Sequence, residues 1–248
     1  MTDDRVEFEA LKRRRASEMH ADRALRLQAR DFLVAADRHN WSYQWTWLGL
    51  PIIQLPSDIV AMQEVIWSST PDLIIETGVA RGGSLMLSAG VLQLLGRGHV
   101  LGVDIDIRAH NRRAIESHPL AGRITLLEGS SLEESIISEV SRRARQCDRV
   151  MVILDSNHTH DHVLAELLAY SPLVSVGQYL VVNDTVVENV PPQDHRPRSW
   201  GPGDNPATAL DQFLRDHPDF EPDAEIHEKL LITSSPGGYL RRTLPSAS

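Results

Sequence analysis

The sequence predicts a doubly wound α/β fold built on a mostly parallel sheet. After Ser57, short apolar runs alternate with segments of helical period, which is typical of successive β-α units. The runs are apolar on both faces, as expected for parallel strands covered by helices on both sides. Near the C-terminus, two short strands indicate an antiparallel edge. A ligand is therefore expected at the carboxyl ends of the parallel strands.

Strands and helices are expected to alternate between residues 57 and 242. The parallel strands are expected at Leu73–Glu76, His99–Val103, Ile124–Glu128, Val150–Leu154 and Tyr179–Val182. The helices are expected at Asp58–Ser69, Gly83–Leu95, Ile107–Ser117, Leu132–Arg145, His160–Tyr170 and Ala207–Asp216. The antiparallel edge is expected at Glu225–Thr233 and Tyr239–Arg242, separated by Ser-Ser-Pro-Gly-Gly.

The length of 248 residues allows one large α/β domain and is short for two. We expect an N-terminal helical extension and aromatic segment at residues 1–56, followed by the α/β domain at residues 57–248. Within the extension, Val6–His39 indicates one or two helices. The aromatic run Trp41–Trp47 and the turn-rich Leu48–Pro56 could line an acceptor pocket, form a subunit contact or pack in the core.

A second irregular segment runs from Val186 to Pro206, directly after the last parallel strand. It is rich in proline and contains Trp200. Long loops without secondary structure in a compact domain are usually functional or disordered. We expect this loop to close as a lid over a bound acceptor, the substrate molecule that receives a transferred group.

The charge of the chain argues against two classes of partner. Its 34 acidic side chains exceed its 25 basic ones, for a formal charge of −9. Such a charge repels a phosphate backbone and an anionic membrane surface. No apolar stretch reaches the roughly 18 residues of a membrane span, and a single cysteine, Cys147, cannot form an internal disulfide. We expect a cytoplasmic protein that binds neither nucleic acid nor membrane.

The first parallel strand leads into a Gly-rich turn that carries Glu76, Gly78, Arg81, Gly82 and Ser84. Glycines allow a ligand to approach the backbone, and the following helix offers unpaired N–H donors. The spacing matches neither the phosphate-binding loop nor the dinucleotide-binding motif. An acidic residue here disfavours a pyrophosphate and suits a cationic ligand, such as a sulfonium or ammonium group. A purely structural junction is the alternative.

The second and third strands also end in polar residues. Asp104 ends the second strand and is placed to accept both hydroxyls of a ribose. Asp106 is expected to cap the next helix. The alternative for Asp104 and Asp106 is an Asp-x-Asp metal site of a nucleotide-sugar transferase. Ser130, after the third strand, is expected to lie beneath an adenine.

Oxygen donors follow the fourth and fifth strands. Asp155, Asn183 and Asp184 project from the carboxyl ends of adjacent strands, and this set suits Mg²⁺ or Ca²⁺. A zinc site formed by His158, His160 and His162 is the alternative. The doubly wound pattern around these histidines is unlike the fold in which such a His-rich zinc motif occurs.

Several short motifs together carry a family resemblance. They are Glu76-Thr-Gly with Gly82-Gly-Ser, Leu154-Asp-Ser with His158-Thr-His, Asn183-Asp-Thr, Gly201-Pro-Gly-Asp-Asn-Pro, and Lys229-Leu-Leu with Gly238-Tyr-Leu. Through them the sequence resembles the cephalosporin hydroxylase family, whose members have a Rossmann-like class I methyltransferase core and include sugar O-methyltransferases of antibiotic pathways. The resemblance covers Trp47–Arg242, and the first 40 residues carry none of these motifs.

The resemblance implies S-adenosylmethionine at the Gly-rich turn, with Asp155 also near the cofactor, and Mg²⁺ held by Asp155, Asn183 and Asp184. The chain has Asn183 where an acid is commoner. The implied reaction is methyl transfer to a hydroxyl of a natural-product scaffold, a deoxysugar of the rhamnosyl type being our expectation. We also expect a homo-oligomer and a small hydroxylated acceptor such as a glycoside or an antibiotic intermediate.

Methyl transfer to an alcohol requires an oriented acceptor and the loss of its proton. A metal-bound hydroxyl has a lowered pKa. His158, three residues after Asp155, could take the hydroxyl proton as a general base. The alternative is that His158 only hydrogen-bonds to a metal ligand. Two further activities stay open: a hydroxylase-type tailoring enzyme of a cephem antibiotic and a metal-dependent nucleotide-sugar transferase. A hydroxylase would need two histidines and a carboxylate on iron, and we treat the matching spacings His20-Ala-Asp22 and His217-Pro-Asp219 as coincidental.

Overall fold

A seven-stranded sheet is the centre of the protein in the computed structural model, which describes residues 4–193 and 195–244. The strands are β1 (Trp45–Trp47), β2 (Leu50–Ile52), β3 (Leu73–Thr77), β4 (His99–Asp104), β5 (Ile124–Glu128), β6 (Val150–Leu154), β7 (Tyr179–Val182), β8 (Phe220–Pro222) and β9 (Tyr239–Arg242). The helices are α1 (Arg5–Ala21), α2 (Arg23–Asp37), α3 (Pro56–Ser69), α4 (Gly83–Leu95), α5 (Ala109–Glu116), α6 (Glu134–Ala144), α7 (His160–Tyr170), α8 (Pro206–Asp216) and α9 (Ala224–Lys229).

Strands β3 to β7 are parallel, in the sheet order β5-β4-β3-β6-β7-β9-β8. The predicted doubly wound sheet is therefore confirmed. Because the chain runs outward from β3 to β5 and then continues on the other side with β6, the strand order reverses between β3 and β6. Such a switch point leaves a crevice beyond the strand ends. Thr77 and Leu154 are paired there, so Gly78 and Asp155 follow them side by side.

Two apolar layers bury the two faces of the sheet. On β3, Ile74 packs into one layer with α3 and α4, whereas Leu73 and Ile75 pack into the other with α6, α7 and α8. Alternation along a strand that is buried on both faces explains its continuous apolar sequence. Burial of each such side chain stabilises the fold by roughly 1.5–3 kcal/mol.

The N-terminal extension contains two helices, and the aromatic segment forms a hairpin. Strands β1 and β2 pair antiparallel around the turn at Leu48 and Gly49 and pack against α4. A Cβ added to Gly83 would lie 2.3 Å from the carbonyl oxygen of Pro51, so hairpin and helix are in close contact. Helix α1 contacts α9 near the other end of the chain. The division into residues 1–56 and 57–248 stays a prediction.

The C-terminal edge is antiparallel as predicted, but one of its strands was misplaced. Residues Glu225–Thr233 do not form a strand, because Ala224–Lys229 is a helix whose first turn is capped by the Asp223 side chain, which accepts from the N–H of Ile226. The partner of β9 is β8, which precedes that helix. A three-residue strand ending in Pro222 carries little periodicity to recognise.

The predicted helices agree closely with the observed ones in the rest of the α/β domain. One expected cap is absent, because α5 begins after Arg108 and the exposed Asp106 makes no capping hydrogen bond. Within the part of the chain that the structure describes, no helix is both long and apolar enough to cross a membrane.

Candidate active site

A cavity of about 610 Å³ opens at the switch point of the sheet. The Gly-rich turn, the ends of β6 and β7, the Pro-rich loop and α2 all contribute to its wall. Of the residues predicted from the sequence, those lining the cavity are Gly78, Arg81, Gly82, Ser84, Asp155, His158, Asn183 and Asp184. Glu76, Asp104 and Ser130 lie outside this lining, so the cavity unites the metal residues with only part of the predicted cofactor set.

The glycines of the turn are required by contacts within the protein. Gly78 has a φ of +92°, and a Cβ there would lie 1.9 Å from the carbonyl oxygen of Asp155. Gly82 has a φ of +85°, and its Cβ would lie 2.6 Å from the side chain of Ile115. Only glycine adopts such a backbone at little cost. The missing side chain of Gly78 also allows the turn to pack against the end of β6.

Asp104 braces the Gly-rich turn. Its Oδ2 accepts hydrogen bonds from the backbone N–H groups of Val79, at 2.8 Å, and Ala80, at 3.1 Å. Its Oδ1 accepts from the N–H of Asp106 at 3.1 Å. This geometry leaves no Asp-x-Asp metal pair, since Asp106 is exposed and turned toward Arg108. Ribose binding by Asp104 stays a prediction, to which the structure adds a role in shaping the turn.

Glu76 is buried beneath the turn. Ser84 donates a hydrogen bond from its hydroxyl to Oε1 of Glu76, and Oε2 is buried without a partner among the described residues. Burial raises the pKa of Glu76 to about 7. Ser84 lines the cavity and Glu76 does not. The hydrogen bond to Glu76 therefore fixes the orientation of a side chain in the cavity wall.

An acidic cluster lies where β6 and β7 end. Asp155, His158 and Asp184 each place a potential ligand atom within 4.8 Å of the others. Nε2 of His158 lies 3.4 Å from Oδ2 of Asp184, and the His158 ring packs edge-on to Trp200 at 5.1 Å. Burial and the nearby charge of Asp184 raise the pKa of Asp155 well above its ordinary value. Two carboxylates held this close favour a bound cation.

Asn183 is brought beside the cluster, but its carbonyl oxygen faces away from it. Its Nδ2 donates to Oδ2 of Asp155 at 3.0 Å, and its Oδ1 accepts from the hydroxyl of Ser235 at 3.0 Å. In this arrangement Asn183 orients Asp155, and ligation of a metal would require its amide to turn over. The predicted ligand role of Asn183 stays a prediction.

The three histidines of the alternative zinc site diverge. His160 turns toward α8, where its ring contacts Thr208 at 2.9 Å and Gln212 at 3.2 Å. His162 lies 3.5 Å from the buried Glu166. The zinc alternative is therefore wrong, because residues two apart on the first helical turn point in different directions.

The two dyads considered for an iron site are also separated from the cavity. The His20 ring contacts His227, and the His217 ring stacks on Phe213 at 4.0 Å. Within residues 4–193 and 195–244, Asp155, His158 and Asp184 form the only group of three or more His, Cys, Asp or Glu side chains that are close enough together to hold a metal ion.

A polar network behind the cluster was missed from the sequence. The buried Asp58 of α3 accepts hydrogen bonds from the hydroxyl of Thr233 and, at 2.8 Å, from the N–H of Ser234. Burial raises the pKa of Asp58 to about 6. The same segment contains Ser235, which bonds to Asn183. Thr233 and Ser234 are 175 and 176 residues from Asp58 in the chain, so no local spacing predicts these bonds.

The residues present fit a divalent cation beside a cationic cofactor. Two carboxylates and an imidazole converge at the strand ends, and such oxygen-rich sets bind Mg²⁺. Oε2 of Glu76, buried beneath the turn without a partner among the described residues, is a polar atom that a bound group would satisfy.

Comparison with known proteins gives consistent matches. Residues 39–243 match the family described as "Rhamnosyl O-methyltransferase/CmcI". The rhamnosyl O-methyltransferase of Mycobacterium bovis (strain BCG / Pasteur 1173P2) is 32% identical over 218 residues, covering 84% of this chain and 85% of the relative. The rhamnosyl O-methyltransferase of Mycobacterium leprae (strain TN) is 31% identical and covers 84% of this chain and 90% of that protein.

Two solved structures share the fold. An apo structure of CmcI is 20% identical with a TM-score of 0.57, covering 82% of this chain and 77% of that one. A CmcI structure described as containing Mg and SAM is also 20% identical with a TM-score of 0.57, covering 82% and 78%.

The chain belongs to the rhamnosyl O-methyltransferase/CmcI family. This membership confirms the family resemblance, the class I methyltransferase fold and the enzyme class, a SAM-dependent O-methyltransferase. The CmcI structure that is described as containing Mg and SAM agrees with the expectation of these two cofactors.

Proposed function

We propose that this enzyme transfers the methyl group of SAM to a hydroxyl of a deoxysugar, of the rhamnosyl type, on a natural-product acceptor. The observation that carries the proposal is the single cavity that joins the Gly-rich turn to the cluster of Asp155, His158 and Asp184. The relatives named as rhamnosyl O-methyltransferases support the choice of sugar.

We assign the cofactor to the turn and the metal to the strand ends. The backbone from Gly78 to Ser84 and the side chain of Asp104 would hold SAM, with Arg81 exposed at the rim and Ser130 at the predicted adenine side. Asp155 and Asp184 would supply charged oxygen ligands to Mg²⁺. A bound Mg²⁺ would stabilise negative charge on the acceptor oxygen as a Lewis acid.

His158 is assigned as the general base. Its Nε2 faces Asp184 at 3.4 Å, which leaves Nδ1 to take the proton of the acceptor hydroxyl. The carboxylate of Asp184 then stabilises the imidazolium that forms. The edge-on contact with Trp200 limits rotation of the His158 ring. Asn183, anchored by Ser235, holds the Asp155 carboxylate in place.

The position of the Pro-rich loop supports the proposal that this loop covers the acceptor as a lid. Val187, Val190, Pro197 and Trp200 line the same cavity as the metal cluster. An apolar wall above a polar floor excludes water from a site where charge develops. We expect the sugar to reach the cluster and its aglycone to lie against the loop.

We further propose that the enzyme acts in the cytoplasm, as a homo-oligomer, in tailoring an antibiotic or a related natural product. Exposed apolar side chains on the first two helices, Val6, Phe8 and Phe32, support self-association. Size-exclusion chromatography with light scattering tests the oligomeric state, and a monomer at micromolar concentration would contradict it.

A methyl-transfer assay tests the activity. Purified protein is incubated with SAM, Mg²⁺ and a panel of glycosides that includes 4-nitrophenyl α-L-rhamnoside, and products are detected by mass spectrometry. We expect a single methyl group on a rhamnoside oxygen. The matched control is His158→Gln, which should bind S-adenosylhomocysteine but transfer methyl at least about a hundredfold more slowly. Methylation of none of the glycosides would contradict the sugar acceptor.

A further inference from the structure

The N-terminal extension and the Pro-rich loop meet at a half-buried ion pair in the wall of the cavity. Asp37, the last residue of α2, accepts a hydrogen bond from Nη2 of Arg196 at 2.7 Å on one carboxylate oxygen. Its other oxygen lies 3.1 Å from Nε2 of His195. The side chains of Asp37 and Arg196 are 13% and 25% exposed, so this pair is far less accessible to water than an ordinary surface pair.

Arg196 is held on more than one side. Its guanidinium lies 5.4 Å above the ring centre of Tyr43, and Nη2 also donates to Oε1 of Gln193 at 3.2 Å. A guanidinium fixed by a carboxylate and an aromatic face keeps its remaining donors in a defined direction. Asp37, Tyr43 and Arg196 all line the cavity that contains the metal cluster.

Two nitrogen atoms of the Arg196 guanidinium group make no hydrogen bond among the described residues. They are Nε, which is buried, and Nη1, because the bonds to Asp37 and Gln193 both use Nη2. Because Arg196 lines the cavity, its unbonded guanidinium N–H groups are donors for an acceptor atom of a bound ligand. A sugar offers the required acceptors, in its hydroxyl and ring oxygens, whereas an apolar aglycone does not.

We propose that Arg196 binds an oxygen of the acceptor sugar through an unbonded guanidinium N–H, and that Asp37 is the positioning residue that holds the guanidinium. The inference rests on the proposed sugar acceptor. It makes the N-terminal extension part of the acceptor site, because Asp37 belongs to α2. The oxygen that Arg196 binds is one that is not methylated, since the methylated oxygen must lie at Asp155, His158 and Asp184.

Conservative substitutions separate this role from a structural one. Arg196→Lys keeps the positive charge beside Asp37 but lacks the planar guanidinium donors. Asp37→Asn keeps the shape of the positioning residue and removes its charge. Each change should raise the KM for the rhamnoside roughly tenfold and leave kcat within about twofold, because one hydrogen bond contributes about that factor. The double variant should be little worse than either single variant, since both act through the same bond.

The test compares acceptors as well as variants. Calorimetry with S-adenosylhomocysteine and Mg²⁺ present measures rhamnoside binding without turnover, and a series of monodeoxy rhamnosides removes one oxygen at a time. For the analogue lacking the oxygen bound by Arg196, wild type and Arg196→Lys should bind equally. Affinity for S-adenosylhomocysteine alone should be unchanged. Arg15→Lys, in an exposed pair with Glu18 on α1, is the matched control and should behave as wild type.

The possible outcomes distinguish this inference from the proposed function. If the wild type methylates rhamnosides and Arg196→Lys binds every rhamnoside as tightly as wild type does, the assignment of Arg196 is wrong. If the variant weakens all monodeoxy analogues equally, Arg196 acts only on the structure of the loop and the assignment is also wrong. Absence of methylation by the wild type would instead overturn the sugar acceptor itself.

Discussion

The cavity has a side that we propose binds the cofactor, formed by the Gly-rich turn, and a side that we propose binds the acceptor, formed by α2 and the Pro-rich loop. These two sides are held together by different kinds of contact. On the cofactor side, backbone hydrogen bonds between parallel strands fix the Gly-rich turn, as where Asp155 donates its N–H to the carbonyl of Thr77 at 2.9 Å. On the acceptor side, α2 and the Pro-rich loop meet through side chains 159 positions apart, Asp37 and Arg196. The cofactor side is therefore constrained by the sheet, whereas the acceptor side depends on a few contacts between side chains.

Alanine in place of a glycine tests the contrast directly. Gly78→Ala introduces a Cβ 1.9 Å from the Asp155 carbonyl at a φ of +92°, and should lower the free energy of unfolding by about 4 kcal/mol. On the acceptor side, Gly203 has a φ of +88° and open space around its Cβ position. Gly203→Ala should therefore lose only about 1 kcal/mol. Urea unfolding measures both, and equal losses would contradict the contrast.

Glu76 should make the stability of the cofactor side depend on pH. Its pKa is raised by burial from 4.5 to about 7, so the folded state keeps a proton that the unfolded state has released. The resulting stabilisation is complete below pH 4.5, falls as pH rises, and is lost above about pH 7. The difference amounts to about 3 kcal/mol.

Glu76→Gln removes this titration. Urea unfolding of wild type and variant across pH 4 to 8 should therefore give curves that diverge with rising pH, with the wild type losing stability relative to the variant. Asp58→Asn is the control, because the pKa of Asp58 rises only to about 6 and its effect should end at lower pH. Parallel curves for wild type and Glu76→Gln would show that Glu76 is ionised in the folded protein.

Substitution of Asp104 tests how much of the cofactor affinity depends on the Gly-rich turn and the predicted ribose contact. Asp104→Ala removes the acceptor for the N–H groups of Val79 and Ala80 and the predicted ribose contact, and should weaken S-adenosylhomocysteine binding by about 2 kcal/mol. Asp106→Ala, the exposed neighbour, should have much less effect. Calorimetry that gives equal, small losses for both would remove the assignment of Asp104.

Trp200 provides the smallest expected effect, on the acceptor side. It contacts His158 and lines the cavity, so Trp200→Ala should raise the acceptor KM about tenfold and lower kcat moderately as the His158 ring gains freedom. Binding of S-adenosylhomocysteine should be unchanged. Steady-state kinetics with a rhamnoside measures both constants, and unchanged values would contradict the lid.

The sequence predicts the strands and the turn of the cofactor side because local patterns carry the information. Apolar runs locate β3 to β7, and Asp155 and Asp184 are recognisable because each follows the end of a run. The acceptor side is less predictable. Its contacts join distant segments, and the Pro-rich loop has no periodicity from which the position of Arg196 could be inferred.

Two local features also escaped prediction for physical reasons. Strand β8 has three residues, too few for alternation to be seen, and its neighbouring helix α9 begins at a cap, Asp223, whose partner lies three residues away. The orientation of Asn183 depends on Ser235, which is far away in sequence. The sequence therefore placed Asn183 at the right strand end without revealing which of its atoms faces the cluster.

Metal dependence is the most direct test of the central claim, methyl transfer at the cluster of Asp155, His158 and Asp184. Turnover of a rhamnoside with SAM is measured after treatment with excess EDTA and again after Mg²⁺ is added back. We expect turnover to stop and then return in the wild type, while Asp184→Asn binds S-adenosylhomocysteine normally and regains no activity at the same Mg²⁺ concentration. Full activity in EDTA would contradict the claim and indicate a metal-free site in which His158 acts alone.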